Sequence, residues 1–252
     1  MSEMKFVNVN KEFKFAGATK VAVEGFNLEI DPNEFICITG PSGCGKSTLI
    51  KMAAGFIPTT YGEITHRGAI VKTPSAERTV VFQEDAVFPW LTVAKNVGYG
   101  PKMSGLTEIA ISEVVEKYLS YVGLESYAEY YPKQISGGMK KRVDIARAYA
   151  NNPSVLLMDE PFGSLDVRTR LEMQMSLIGL WEKDRKTILF VTHDIQEALL
   201  LADKIVIMSS PPNSVVKIVD VPFLRPREPE LLYVSEFVEM RKGIENLIHS
   251  CH

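Results

Sequence analysis

Phe35-Ile36-Cys37-Ile38-Thr39-Gly40-Pro41-Ser42-Gly43-Cys44-Gly45-Lys46-Ser47-Thr48 decides the fold of this 252-residue chain. A strand-forming run passes directly into a loop of the form G-x-x-x-x-G-K-[ST], and a helical pattern over 46–54 follows at once. A loop between a strand and a helix N-terminus aims backbone N–H groups and the positive end of the helix dipole at one point. Its glycines let the backbone approach an anion without a Cβ in the way. Gly40, Pro41, Ser42, Gly43, Cys44, Gly45, Lys46, Ser47 and Thr48 are therefore the candidate phosphate cradle. Lys46 is suited to neutralise β- and γ-phosphate charge, and the Ser47 hydroxyl to ligate Mg²⁺.

Outward from this loop, continuous apolar runs recur at 155–158, 188–191 and 205–208, with further short β-rich runs at 6–9, 26–30 and 79–82. Continuous apolar strands suit a parallel sheet covered on both faces. Helical stretches at 167–183 and 195–201 lie between them, so the alternation predicts a βαβ architecture. From about 84 to 152 the pattern is helical, with Ile111, Val114, Val115, Tyr118, Leu119 and Val122 on one stripe. Within that region Pro132 precedes a helix that Ser136-Gly137-Gly138 open, where exposed N–H groups, a hydroxyl and the helix dipole again favour an anion. The strand at 155–158 ends in Asp159-Glu160, at the sheet edge where open α/β proteins bind ligands. Asp159 is the candidate for the Mg²⁺ shell. Glu160 is the candidate general base or water-orienting group.

Composition is that of a soluble globular chain, 46% apolar and 23% charged. A net charge of -3 argues against a dedicated nucleic-acid binder. Cys37, Cys44 and Cys251 form no C-x-x-C pair, so neither a disulfide framework nor a zinc site is expected. A free thiol inside the phosphate loop points to a reducing compartment. The N-terminus lacks the layout of a signal peptide, and no apolar run approaches the ~18–20 residues of a membrane span. The expected location is cytoplasmic, with any membrane contact made through a partner.

In order along the chain, the phosphate loop, Ser136-Gly137-Gly138 and Asp159-Glu160 resemble the motifs of ABC transporter ATPase subunits, and the resemblance covers nearly the whole chain. It implies an α/β fold: a P-loop NTPase (RecA-like) core with an N-terminal antiparallel β subdomain and an inserted α-helical subdomain. The implied division is one ABC ATPase domain over 1–252, with the α/β core at 1–83 and 153–221 and the helical subdomain at 84–152. A C-terminal linker and helix occupy 222–252. The implied cofactors are ATP and Mg²⁺. Gln83 matches the glutamine that touches Mg²⁺ or the attacking water and reports to the membrane partner. His193, in Val191-Thr192-His193-Asp194, matches the switch histidine at the γ-phosphate. Asp166, in Ser164-Leu165-Asp166, matches the loop that crosses between subunits. Phe13 is preferred as the aromatic on adenine, with Phe15 as competitor and a plain core role open to either.

The resemblance also implies that Ser136, Gly137 and Gly138 meet the γ-phosphate held by the opposite subunit. Each chain then carries two halves of two different sites, and its first partner is a second copy of itself. Met139 stands where the family usually has Gln; since Ser136 and the glycine backbone remain, it is expected to modulate activity rather than abolish it. Lys140-Lys141-Arg142 reads mostly as a solvated helix face, with a nucleotide or partner role as the alternative.

Pro89-Trp90 after Gln83, the run 160–166 and Arg225-Pro226-Arg227 resemble the importer ATPases of the nitrate, aliphatic sulfonate and taurine group. Phe88, Trp90 and Leu91 then offer an apolar anchor for a permease helix, or Trp90 packs within the helical subdomain. Integral permease subunits and, indirectly, a substrate-binding protein are the further partners implied; nucleic acid is not. The alternatives are a soluble non-transport ABC-type ATPase and the ATPase of another transporter class. Pro222, Pro226 and Pro229 mark an extended connector. Phe237, Met240, Ile244, Leu247 and Ile248 predict a terminal helix, docked on its own domain or used in a dimer or partner contact.

Overall fold

The computed structural model describes residues 2–15, 18–84, 86–211 and 215–249. Asp85 and Cys251 lie outside the described residues, as does the side chain of Phe15. Strands β1 (Met4–Phe15) and β2 (Ala18–Ile30) pair antiparallel and lead to β3 (Phe35–Thr39), which feeds helix α1 (Lys46–Ala54). Strands β4 (Tyr61–His66) and β5 (Ala69–Ile70) complete an antiparallel sheet of order β2-β1-β4-β5. Among the described residues, β6 (Arg78–Val81) is followed by four α-helices: α2 (Val93–Val97), α3 (Tyr99–Met103), α4 (Glu108–Val122) and α5 (Gly137–Ala150). The chain then alternates through β7 (Val155–Asp159), α6 (Val167–Lys183), β8 (Thr187–Val191), α7 (Ile195–Leu201) and β9 (Lys204–Met208). Strand β10 (Val215–Asp220) and helix α8 (Ser235–His249) finish it.

The second sheet has the order β10-β9-β3-β8-β7-β6, parallel except for β10 at its edge. Its central strands are buried on both faces, which explains their uninterrupted apolar sequence. Alternate residues divide between two cores, as the period of two in a strand requires. Ile36, Ile38, Leu157, Leu189 and Val191 pack toward α1 and the antiparallel sheet. Phe35, Cys37, Leu156, Met158, Ile188 and Phe190 pack toward α5, α6, α7 and α8. Parallel strands release their following loops at one edge, so the phosphate loop, Asp159-Glu160 and His193 emerge together after β3, β7 and β8.

On α4, Tyr118, Leu119 and Val122 are buried while Ile111, Val114 and Val115 are half-buried. Thr107 caps this helix through Ala110 N, and Gly123 ends it in the left-handed conformation. Helix α8 docks on its own domain: Phe237 and Ile244 are buried in the main core, with Met240, Leu247 and Ile248 packed beside them. Each fully buried side chain of this size contributes about 1.5–3 kcal/mol. The connector ahead of it is strapped down, since Arg227 donates to the carbonyls of Leu199, Leu200 and Ala202.

The structure corrects two expectations. Phe82 lies outside β6, which ends at Val81. Lys141 does not belong to a solvated face, because none of its side chain is exposed and its ammonium meets backbone carbonyls of the segment after β6.

Candidate active site

Two glycines of the phosphate loop are required by close approach. A Cβ on Gly40 (φ 151°) would stand 2.4 Å from Met208 O, and one on Gly45 (φ 99°) would stand 2.3 Å from Ala22 O. Gly45 precedes α1, and no side chain caps that helix. Its first N–H groups therefore face the loop interior, where an anion would sit. Lys46 is buried, and its Nζ donates to Gly40 O at 2.8 Å and Pro41 O at 2.9 Å. Burial pushes the Cys44 thiol up, so the free cysteine in the loop stays protonated.

The Ser47 hydroxyl donates to Oδ1 of Asp159 at 2.9 Å. Burial raises the Asp159 carboxyl above the usual range, against the downward pull of this hydrogen bond, and the charge on Glu160 raises it further. A hydroxyl and a carboxylate are hard oxygen donors and fit Mg²⁺. Among the described residues no cluster of three His, Cys, Asp or Glu side chains could hold a metal unaided. A cation here would draw its other ligands from phosphate and water, the usual arrangement for Mg²⁺.

Glu160 follows β7 with φ 46°, an uncommon backbone for a side chain of this size. Its Oε2 lies 3.0 Å from Nδ1 of His193. Gln83 reaches the same place. A carbon added to Gly163 would lie 3.2 Å from Gln83 Nε2 and 3.6 Å from Glu160 Oε2. Phe13 lines a cavity of about 410 Å³ together with Lys20, Ser42, Gly43, Lys46, Ser47 and Glu160. Lys11 Nζ stands 5.2 Å from the Phe13 ring centroid, a cation–π contact that supports the ring.

Ser136, Gly137, Gly138 and Asp166 do not join this cavity. Ser136 and Gly138 line a separate one of about 280 Å³ with Arg142, Thr169 and Glu172. Ser136 caps α5, its Oγ accepting from Met139 N at 3.3 Å, and Asp166 caps α6, accepting from Thr169 N at 3.1 Å. The two caps are neighbours, since a Cβ on Gly138 would meet Thr169 Cγ2 at 2.8 Å. The Met139 side chain packs half-buried against the main core.

Sequence reasoning missed Lys20, Arg170 and Glu197. Arg170 donates to Leu165 O at 2.9 Å and stands 3.6 Å from Asp194 Oδ2, so it ties the loop before α6 to the residue after His193. Glu197 is buried beside Thr192, and its carboxyl is pushed up to about 7 by burial. One signal for it was present: Asp194 and Glu197 have the D-x-x-E spacing of a helix start, and Asp194 does cap α7 through Glu197 N.

The sequence pattern of the ABC transporter family matches residues 23–163. The chain is 42% identical over 246 residues to an uncharacterised ABC transporter ATP-binding protein of Methanocaldococcus jannaschii, covering 98% of this chain and 91% of that one. It is 41% identical over 239 residues to a taurine import ATP-binding protein of Rhizobium johnstonii, covering 93% and 91%. Its fold superposes on a solved dimeric ATP-binding cassette in a post-hydrolysis state bound to ADP and Pi, with a TM-score of 0.72 and 29% identity. That match covers 88% of this chain and 100% of the other. A phosphate loop, an acidic pair and a separate glycine-led helix cap, set in this fold and with these relatives, make the chain a member of the ABC transporter family, an ATP-binding cassette that hydrolyses ATP.

Proposed function

We propose that this chain is the ATPase subunit of an ABC importer and works as a dimer, each ATP held between the phosphate loop of one copy and Ser136, Gly137 and Gly138 of the other. The separation of the two cavities carries this reading: one chain offers a nucleotide cradle and, apart from it, a second anion-seeking helix start. A second copy supplies the complement. Asp166, beside Ser136 through Gly138 and Thr169, lies on the same interface.

Within the site, Phe13 stacks on adenine and the loop 40–48 holds the phosphates. Ser47, Asp159 and Gln83 would hold Mg²⁺, which would supply positive charge against the phosphates. Glu160 takes or orients the proton of the attacking water, and His193 holds its carboxylate in place while meeting the γ-phosphate. Met139 tunes the helix start without touching phosphate.

The membrane partner docks on the helical subdomain, read as 84–152. A groove of about 470 Å³ there is lined by Trp90, Leu91, Tyr99, Met103, Ile111 and Val115. Trp90 is 70% exposed, which favours an anchor for a permease helix over internal packing. Among the described residues no helix is long and apolar enough to cross a membrane. In this reading the chain is held at the cytoplasmic face by the permease. The cargo is a small solute of the nitrate, sulfonate or taurine kind, delivered by a substrate-binding protein; the taurine-import relative and Pro89-Trp90 support this class.

Size-exclusion chromatography of Glu160→Gln tests the dimer. The protein is expected to run as a monomer alone and as a dimer with ATP and Mg²⁺, and Ser136→Arg should prevent the shift. A monomer under all conditions contradicts the shared site.

A further inference from the structure

Lys141 sits on α5, the helix that Ser136 caps, with its side chain wholly removed from solvent. Its Nζ donates to three consecutive carbonyls: Phe82 O at 3.0 Å, Gln83 O at 3.1 Å and Glu84 O at 3.4 Å. Asp144 Oδ2 lies 3.9 Å away, and Asp144 Oδ1 holds Arg147 at 2.7 Å. Arg147 in turn donates to Ala86 O at 2.6 Å. Lys141 and Arg147, with Asp144 between them, thus grip the carbonyls of Phe82, Gln83, Glu84 and Ala86, four residues that belong to no strand or helix. Removing an ammonium from water is costly, and here the carbonyls and the carboxylate gathered around it offset that cost. The charge therefore serves the geometry of the segment it holds.

We propose that Lys141 is a positioning residue for ATP hydrolysis. By gathering the carbonyls of Phe82, Gln83 and Glu84 it fixes the Gln83 side chain beside Glu160 and locks that segment to the helix beginning at Gly137. The inference rests on the reading of Gln83 as a group at the reaction centre. Any displacement of the segment, such as one imposed by a docked permease, is then transmitted to the helix start that completes the partner's site.

Steady-state ATP hydrolysis by the full chain, with Lys141→Met, Lys141→Gln, Gln83→Ala and the double variants, tests this. Lys141→Met should lower kcat about tenfold while KM for ATP stays within about twofold, since the phosphate cradle is untouched. Lys141→Gln keeps an amide donor and should recover part of the loss. In the Gln83→Ala background Lys141→Met should add little, because nothing remains to be positioned. Fully additive losses would show a structural prop and overturn the proposal, as would unchanged kcat in Lys141→Met when Gln83→Ala is impaired. Full activity of Gln83→Ala removes the reading of Gln83 itself, and the proposal with it. If Lys141→Met does not fold, Lys141→Gln carries the same cycle.

Discussion

Nδ1 of His193 stands 3.0 Å from Oε2 of Glu160, and the pairing of β7 with β8 brings them there. Asp159 lies opposite Val191 in that parallel register, so Glu160 and His193 leave adjacent strands at the same level. The positive φ of Glu160 turns its side chain out of the strand direction. In the function proposed above, this carboxylate, held by the imidazole, handles the proton of the attacking water.

Glu160→Gln should therefore lower ATP turnover by about a hundredfold or more, the usual contribution of a general base. Affinity for ATP should change little, because the cradle is intact and the new amide can still meet His193. Phosphate release and nucleotide-binding titration check both halves. Normal turnover would remove Glu160 from the role assigned to it.

Lys46→Ala should act on the other half. Its ammonium sits among the carbonyls of Gly40 and Pro41, inside the loop proposed to hold phosphate. A charge-assisted contact contributes about 1.5–3 kcal/mol, so ATP affinity should fall on the order of ten- to a hundredfold. Equilibrium binding of a fluorescent ATP analogue measures this. Unchanged affinity would contradict the cradle.

The segment from Phe35 to the end of α1 was legible because its cues are local: an apolar run, glycines at forced φ, then Lys-Ser at a helix start. The parallel strands were legible for a similar reason, being buried on both faces. Strands β4, β5 and β10 were not, since their partly exposed residues form no continuous apolar run; β5 and β10 are edge strands, and β4 takes its register from β1, far upstream in the chain. Within Lys140-Lys141-Arg142 nothing marks the middle residue as buried. Its environment comes from carbonyls 57–59 residues upstream, and only the packed fold brings them to it.

Arg227 carries a structural prediction. Burial lowers its guanidinium to about 10, still charged at neutral pH, and it donates to Leu199 O, Leu200 O, Ala202 O and Phe223 O. These contacts cap the C-terminal end of α7, the helix that follows His193. Arg227→Ala should destabilise the protein by about 3–5 kcal/mol by leaving buried carbonyls unpaired. For a chain of this size that is a drop on the order of 10 °C in Tm. Thermal unfolding followed by circular dichroism checks it, and Arg227→Lys should recover only part of the loss.

Glu197 predicts a pH dependence of stability. Burial pushes its carboxyl up to about 7, against the downward pull of hydrogen bonds from Thr192 and Gln174. The ordinary value is 4.5, so between about 4.5 and 7 the folded chain keeps a proton that the unfolded chain releases. This carboxyl's favourable contribution is complete below that window and is lost as pH rises through about 7. The displacement corresponds to about 3 kcal/mol. Glu197→Gln stays neutral, and its amide oxygen can accept from Gln174 as before. Relative to wild type, the variant should gain about 2.5 kcal/mol of unfolding free energy between pH 5 and pH 8. Urea unfolding of both proteins across that range measures the difference, and a flat difference would mean that Glu197 ionises in the folded chain as readily as in the unfolded one.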